Sequence, residues 1–575
     1  MNPRAGKLIA AGALVAGTVA VLPGPASAAE PGPSTRPVAP LTWTDCGTKT
    51  YPTLQCATLS VPLNHDDPAG RKISLALTRV AHTAATYQGP LLVNPGGPGG
   101  SGRGLAGYVA ASLPAKVAAQ YDVIGFDPRG VGKSEPALDC LPGYFDPVRP
   151  DSVPHGTKGE KVNLQRARTF AKACGDKYAD LLPYIDTIST ARDMDAVRRA
   201  LGVPRINYLG YSYGTYLGSV YARLYPERVR RLVLDSVVDP RGVWYDDNIA
   251  QNYAFDARHK AFMAWVARND ATYRLGTDPD AVEAAWYRMR DEALARPVGG
   301  KVGASELEDT FLPGGYYNGY WPELAAAFSA YAVDHDSAPL LKAYEAHGAA
   351  DAATDNGYSV YTSVQCRDAR WPARWSVWRK DAWDVYAKAR FYTWNNTWYN
   401  APCAFWPVPS LTPPDVTNDQ LPPTLFLQAT NDAATPFEGA VALHRMVRRS
   451  SLVVEQGGGN HGVTLAGNAC MDQYLIAYLS TGEVPRGAEG AEADAVCETL
   501  PDPVPEPVKT PAPAKQGAAG AESSPAGAAQ AGSPSAGSSQ TESSPAGSSQ
   551  AESSQAESSQ AAPGATLHGL LGHER

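Results

Sequence analysis

The chain has 575 residues and an apolar share of 44%, enough to bury one large core or two modest ones. Its formal net charge of -8 argues against nucleic acid as a partner, since phosphate recognition needs a basic surface. These numbers describe a globular protein, with an addition at each end.

The first addition carries Arg4 and Lys7, an apolar run from Leu8 to Leu22, and then Ala26, Ser27 and Ala28. This order predicts a secretory signal peptide over 1–28, cut after Ala28. The apolar run is shorter than the ~20 residues that cross a bilayer, and no later segment is long and apolar enough to span. Residues 29–41 read as a propeptide or an N-terminal linker. Eight cysteines follow: Cys46, Cys56, Cys140, Cys174, Cys366, Cys403, Cys470 and Cys497. None stands in a C-x-x-C pair and no histidines accompany them at ligand spacing, so no metal site is expected. An even count in an exported chain predicts disulfides. Of the many pairings open to eight cysteines, the favoured one joins sequence neighbours into four local staples.

From residue 42 to 240 short apolar runs alternate with helical stretches, the pattern of parallel strands joined by crossover helices. "RKISLALTRV" and "GPLLVNPGG" read as strands, the second entering a glycine loop, and "YDVIGFDPRGVGKSE" as a strand and its loop. "STARDMDAVRRALGV" predicts an amphipathic helix, capped by a serine or threonine and stopped at Gly202. "RINYLGYSYG" and "RVRRLVLDSVVDP" follow as strands. A long interruption, 241–412, holds eleven of the twelve tryptophans and reads as a helical cap with packed aromatic rings. Two more strands, "PPTLFLQATNDAATP" and "SSLVVEQGGGNHGV", bring the core to residue 501. The rest, 502–575, is rich in Ala, Ser, Gly, Pro and Gln. Such a composition predicts a disordered tail.

The chemistry concentrates at strand ends. Gly210, Ser212 and Gly214 form G-x-S-x-G between a strand and a helix, a sharp turn that lifts the serine hydroxyl above the sheet. A serine needs a base, and the base an orienting acid, here in the chain order serine, acid, histidine. His461, in a glycine-rich loop after the last strand, is the expected base. Asp432 is the preferred acid because its strand immediately precedes the histidine strand, and Asp235 is its rival. Thr435 stands where it could support the carboxylate. The oxyanion donors are expected to be the backbone N–H of Tyr213, just after the nucleophile, and that of Gly97 in "NPGGPGGSG".

Taken together, "NPGGPGGSG", "FDPRGVGKSE", "GYSYGTYLG", "NDAATP" and "NHGV" resemble the α/β-hydrolase fold, and specifically the secreted bacterial tripeptidyl aminopeptidases related to prolyl aminopeptidases. The likeness runs from about Thr42 to Cys497. Relatives often open the glycine loop with histidine, where this chain has Pro95. The resemblance implies an α/β fold with a mostly parallel sheet and an inserted cap. It also implies a serine peptidase that cuts near the free amino end of peptides, with no cofactor. An exopeptidase also needs a carboxylate for the substrate ammonium, because a buried cation without a partner is costly, and Asp368 in "VQCRDAR" is the candidate. A carboxylesterase or lipase with the same triad is the rival enzyme, and a noncatalytic binding protein on the same fold is the rival of another kind. The sequence carries no signal for an oligomeric state.

Overall fold

A computed structural model describes residues 40–488, 492–506 and 563–571. The predicted signal peptide, nearly all of the predicted propeptide or linker, and most of the predicted tail lie outside the described residues. The ten strands are β1 (Thr44–Asp45), β2 (Gln55–Pro62), β3 (Lys72–Val80), β4 (Pro90–Asn94), β5 (Asp122–Phe126), β6 (Ile206–Tyr211), β7 (Val229–Asp235), β8 (Thr424–Ala429), β9 (Ser450–Gln456) and β10 (Ala495–Glu498). They form one sheet in the order β1-β2-β3-β5-β4-β6-β7-β8-β9-β10.

From β5 onward every neighbouring pair in that order is parallel, while β1, β2 and β3 join on by antiparallel pairing. The residues explain the division. "PLLVN", "DVIGF", "INYLGY" and "TLFLQA" are buried at every position, as strands covered on both faces must be. The β2 run "QCATLSVP" instead alternates buried and exposed positions over its second half, as a strand at the margin does. β1, β2 and β10 are not among the strands that the apolar runs predict.

Register places the functional loops. Asn94 pairs with Gly210, Tyr211 with Asp235, Asp235 with Leu427, and Ala429 with Glu455. The carboxyl ends of β4, β6, β7, β8 and β9 therefore share one edge. The chain leaves β4 toward β5 on one side and returns to β6 on the other. Such a reversal opens a crevice at the strand ends, where α/β proteins place their ligands.

Local differences from the sequence reading have plain causes. The helix before β6 starts at Thr187 and is capped by Asp186, whose side chain accepts from Ser189 N at 2.7 Å. An aspartate cap outcompetes the expected Ser or Thr because its two oxygens also take the Ser189 hydroxyl, at 2.8 Å. The tryptophan-rich stretch of the insert breaks into two helices, Trp375–Tyr386 and Thr393–Asn400. Between β7 and β8 the named elements are all helical, as expected for 241–412. A second excursion also joins this insert: the helix Gly156–Tyr178 and the loop before it, where Arg149 pairs with Glu306 and Asp309, and Glu160 with Arg379. The expected disordered tail is corrected at both ends. Trp265 donates to the Pro503 carbonyl and Arg268 pairs with Asp502, while Pro563–Leu571 is a helix.

The four disulfides join sequence neighbours: Cys46 to Cys56, Cys140 to Cys174, Cys366 to Cys403 and Cys470 to Cys497. Among the described residues no cysteine is free. Such bridges persist in oxidising compartments. No helix among the described residues is long and apolar enough to cross a membrane.

The Cys140–Cys174 bridge closes a 34-residue separation in the second excursion. Replacing both cysteines by alanine is expected to lower the unfolding free energy by about 2–4 kcal/mol, read from the urea midpoint. An unchanged midpoint would show that side-chain contacts alone hold the excursion.

Candidate active site

Ser212 sits between β6 and the helix Tyr213–Leu224 with φ 56° and ψ -130°. Positive φ is costly for a residue with a Cβ, and strain of this kind costs roughly 1–3 kcal/mol. The two flanking glycines permit it by close approach. A Cβ on Gly210 would lie 2.4 Å from the Gly214 carbonyl oxygen, and one on Gly214 would lie 2.8 Å from Asn94 Oδ1. Side chains at either position would force the helix off the strand. Ser212 N donates to the Asp235 carbonyl at 3.0 Å, and its own carbonyl accepts from Thr215 N and Oγ1 at 2.8 and 2.6 Å. The serine is 2% exposed and heads a helix, whose N-terminus favours developing negative charge.

The glycine loop after β4 folds against this elbow. A Cβ on Gly96 would stand 2.8 Å from Ser212 Cβ and 3.1 Å from Tyr213 N. At φ 104° the position is closed to other residues in conformation as well as in space. Asn94 Oδ1 accepts from Gly96 N at 3.0 Å and Asp127 accepts from Ser101 Oγ at 2.5 Å, pinning the loop at both ends. Gly97 and Tyr213 line the same cavity as Ser212. The "FDPRG" loop is bolted down from below by Arg129, whose buried guanidinium grips Asp193 through Nε at 2.8 Å and Nη2 at 2.7 Å.

On the loops after β8 and β9, His461 Nδ1 lies 2.9 and 3.0 Å from the two oxygens of Asp432. Asp432 also accepts from Ala434 N at 2.9 Å, Thr435 N at 3.0 Å and Thr435 Oγ1 at 2.9 Å. The carboxylate is thus fixed on one side by its own turn and faces the imidazole on the other. Asp235, the rival acid, does something different. It accepts from Val463 N at 3.0 Å, Thr464 N at 2.8 Å and Thr464 Oγ1 at 2.5 Å, while Ser236 Oγ accepts from Gly462 N at 2.7 Å. It holds the histidine loop by its backbone. Burial pushes its carboxyl up to about 6, against these hydrogen bonds. The insert holds the same loop from above: His461 N donates to the Tyr316 carbonyl at 2.8 Å, and Asn318 N to Asn460 Oδ1 at 2.9 Å.

A cavity of about 260 Å³ opens at Ser212. Its far wall comes from the insert: Trp244, Asp247, Gln251 and Gln365, with Asp239 and Glu438 from the core loops. Asp368 is not among its lining residues. Its carboxylate accepts from Thr187 N at 2.8 Å and Thr187 Oγ1 at 2.5 Å, behind Tyr213, whose hydroxyl lies 2.7 Å from the same Thr187 oxygen. Burial raises Asp368 to about 7, so the acid expected to face the substrate is spent on internal packing.

Asp247, in the first turn of the helix Tyr245–Arg268, lines the cavity together with Asp239 and Glu438. Its Oδ2 is buried with no hydrogen-bond partner among the described residues. Burial pushes it well above the ordinary carboxylate range, with Asp239 and Asp246 adding in the same sense. A second residue missed by the sequence reading, Arg258, packs behind the histidine loop and blocks any Cβ on Gly459. Burial lowers its guanidinium to about 10, and Asp432 is one of the acids opposing that shift. Nothing in the spacing of either residue marks it, since each lies on one helix of an insert with no repeating motif.

A serine strained above a helix N-terminus, bare backbone beside it and an imidazole oriented by a carboxylate are what acyl transfer requires. Residues 89–463 match the family model described as the alpha/beta hydrolase fold. The chain is 42% identical to the tripeptidyl aminopeptidase of Streptomyces lividans over 453 residues, 76% of this chain and 84% of that protein. It is 32% identical to the serine protease Hip1 of Mycobacterium tuberculosis over 508 residues, 83% of this chain and 95% of that protein. With a Mycobacterium tuberculosis protein named carboxylesterase B it shares 33% identity over 516 residues, 84% and 97% of the two chains. The chain therefore belongs to the α/β-hydrolase family, as a serine hydrolase related to the tripeptidyl aminopeptidases.

Proposed function

We propose that this chain is a secreted serine exopeptidase that hydrolyses peptides near their free N-terminus and releases short fragments, commonly tripeptides. Ser212 is the nucleophile, His461 the general base and Asp432 the acid that orients it. The backbone N–H groups of Gly97 and Tyr213 receive the oxyanion. His461 takes the Ser212 proton as Oγ attacks the scissile carbonyl, and charge gathers on the carbonyl oxygen. Collapse of the tetrahedral intermediate breaks the C–N bond, and the imidazolium gives its proton to the leaving amine. Water, deprotonated by the same imidazole, then cleaves the acyl-enzyme and restores the serine. The fragment length is carried over from the relatives' name, and secretion from the predicted signal peptide together with the four disulfides.

One observation carries the exopeptidase reading: the cavity at Ser212 is walled by a carboxylate whose buried oxygen has no hydrogen-bond partner among the described residues. A buried acid in that condition is unfavourable until a cation arrives. The ammonium of a peptide N-terminus is a cation of the right kind, and an ester substrate has none. Asp239, beside it, is already paired with Arg241 at 2.6 Å.

Replacing Ser212 by alanine is expected to abolish turnover of tripeptidyl anilides. Asp432→Asn, which favours the wrong imidazole tautomer, is expected to cost about 10⁴-fold in kcat with little change in fold. Retention of full activity by either variant, followed by release of nitroaniline, would remove the triad assignment.

Asp247→Asn is expected to lower kcat/KM for free-amine peptides by about 10- to 100-fold, the ~1.5–3 kcal/mol of a charged hydrogen bond. It should leave N-acetylated peptides unaffected. The sign with pH follows from the raised acid: Asp247 is charged above its pKa and neutral below it. Attraction for the ammonium is therefore lost on acidification, earlier than for an ordinary carboxylate, and the variant should lack that part of the rise in KM. Equal cleavage of free and acetylated peptides by the unmodified enzyme, with faster cleavage of simple acyl esters, would favour the carboxylesterase reading.

A further inference from the structure

The helix Pro563–Leu571 lies at the end of a stretch read as tail, yet it packs where core and insert meet. Leu567 and Leu571 are 0% and 4% exposed and belong to the core cluster of Tyr108, Tyr211, Val463 and Leu465. Leu571 comes within 2.8 Å, and Leu567 within 3.5 Å, of the place a Cβ on Gly462 would occupy. Gly462 is the residue after His461 and has φ 83°. Bare backbone there leaves room for the leucines. Leu570 stands 3.0 Å from the Cβ position of Gly104, in the core helix Arg103–Ser112. On the other side, the His568 ring stacks on Tyr317 of the insert, with centroids 4.3 Å apart. One short helix thus touches the first core helix, the histidine loop and the insert.

Nine residues do not hold a helix in water by themselves. This one exists because a groove receives Leu567 and Leu571, which stand one turn apart on a single face. An intramolecular ligand meets its site at an effective concentration on the order of mM. A contact too weak to keep separate molecules together is therefore filled in cis.

We propose that this groove is a docking site for a short leucine-bearing helix, that its occupant is the chain's own C-terminal segment, and that the docked helix narrows the seam between core and insert leading to Ser212. The side of the approach is set by chemistry. His461 hands its proton to the departing amine, so a helix against Gly462 stands on the leaving-group side, away from the acidic cavity that takes the fragment to be released. The docked helix obstructs the portion of a substrate beyond the cut. The proposal rests on the reading of Ser212 as nucleophile, of His461 as the group that protonates the leaving side and of the acidic cavity as the place of the released fragment.

The test compares the full chain with its Leu567→Ser, Leu571→Ser variant, both reacted with a phosphonate ester that labels the active serine and carries a bulky aryloxide leaving group, which must pass on the side beyond the cut. A helix docked nine-tenths of the time slows labelling about tenfold, so the variant is expected to label about tenfold faster. A synthetic peptide of residues 560–575, added at mM concentration, should return the variant to the slow rate. Because only an intact groove can respond to the peptide, this second measurement separates release of the helix from damage to the fold. Equal labelling rates for the two chains, or a variant indifferent to the peptide, would overturn the proposal. Absence of labelling in both chains would remove the nucleophile, and the proposal with it. Rapid and equal labelling would overturn the proposal alone, leaving the peptidase reading to its own tests.

Discussion

The backbone of Ser212 is held at φ 56° and ψ -130°, and the surrounding fold can be understood as what keeps it there. A strained residue persists only when its surroundings over-determine it. Here β6 enters between β4 and β7 in fixed register, and the helix leaving Ser212 is pulled back across the strand until Gly214 touches Asn94. Hydrogen bonds at the serine's N–H and carbonyl clamp both sides of the turn. Relaxing Ser212 would move the helix Tyr213–Leu224, most of which is buried. Giving up that packing costs more than the strain releases, since each large apolar side chain contributes about 1.5–3 kcal/mol by its burial.

The same economy of placement ties the other functional loops to the elbow. Asp235 ends β7 and pairs in register with Tyr211, the residue before the serine. Its carboxylate receives the backbone of Val463 and Thr464, two and three residues past the histidine. Ser212 and the histidine loop are thereby fastened to one strand end. An acid held by so many donors would ordinarily titrate low, yet burial lifts Asp235 to about 6. The donors therefore offset only part of the cost of burying the charge, and ionising this carboxyl as pH rises toward 6 costs stability. Asp432 divides its work differently, taking three donors from its own turn and leaving both oxygens within reach of the imidazole.

Much of this architecture was legible in the sequence, where one short stretch contained its own explanation. Fully buried parallel strands are near-continuous apolar runs, so β4 to β9 could be read directly. The G-x-S-x-G turn, the histidine loop and Asp432 follow from their positions after strands. Disulfide partners were legible because each bridge closes a local loop. What escaped depends on residues far apart in the chain. Asp368 looked available, but Thr187, 181 positions away, takes its carboxylate. Asp247 gave no signal because the state of a buried acid is defined by what surrounds it. The leucines of the C-terminal helix were hidden by the Ala- and Ser-rich stretch before them. The groove that orders them is built from residues near the start, middle and end of the core.

Cleavage at a fixed count from an N-terminus needs two fixed points, one for the ammonium and one for the scissile carbonyl. On the proposed reading these are Asp247 and Ser212, and they stand on different parts of the chain. The ruler between them is only as stiff as the joint between insert and core. That joint passes through the site itself: the Tyr316 carbonyl takes the N–H of His461, and Gln251 Nε2 donates to the Ala434 carbonyl at 2.7 Å, beside the turn that holds Asp432. Farther out, the buried pairs of Arg149 with Glu306 and of Arg290 with Glu308 and Asp151 fix the second excursion to the insert. A shift of the insert would therefore disturb the count and the imidazole together. On that reading selectivity and turnover are mechanically one property, because the bonds that set the length of the ruler also hold the His461 loop.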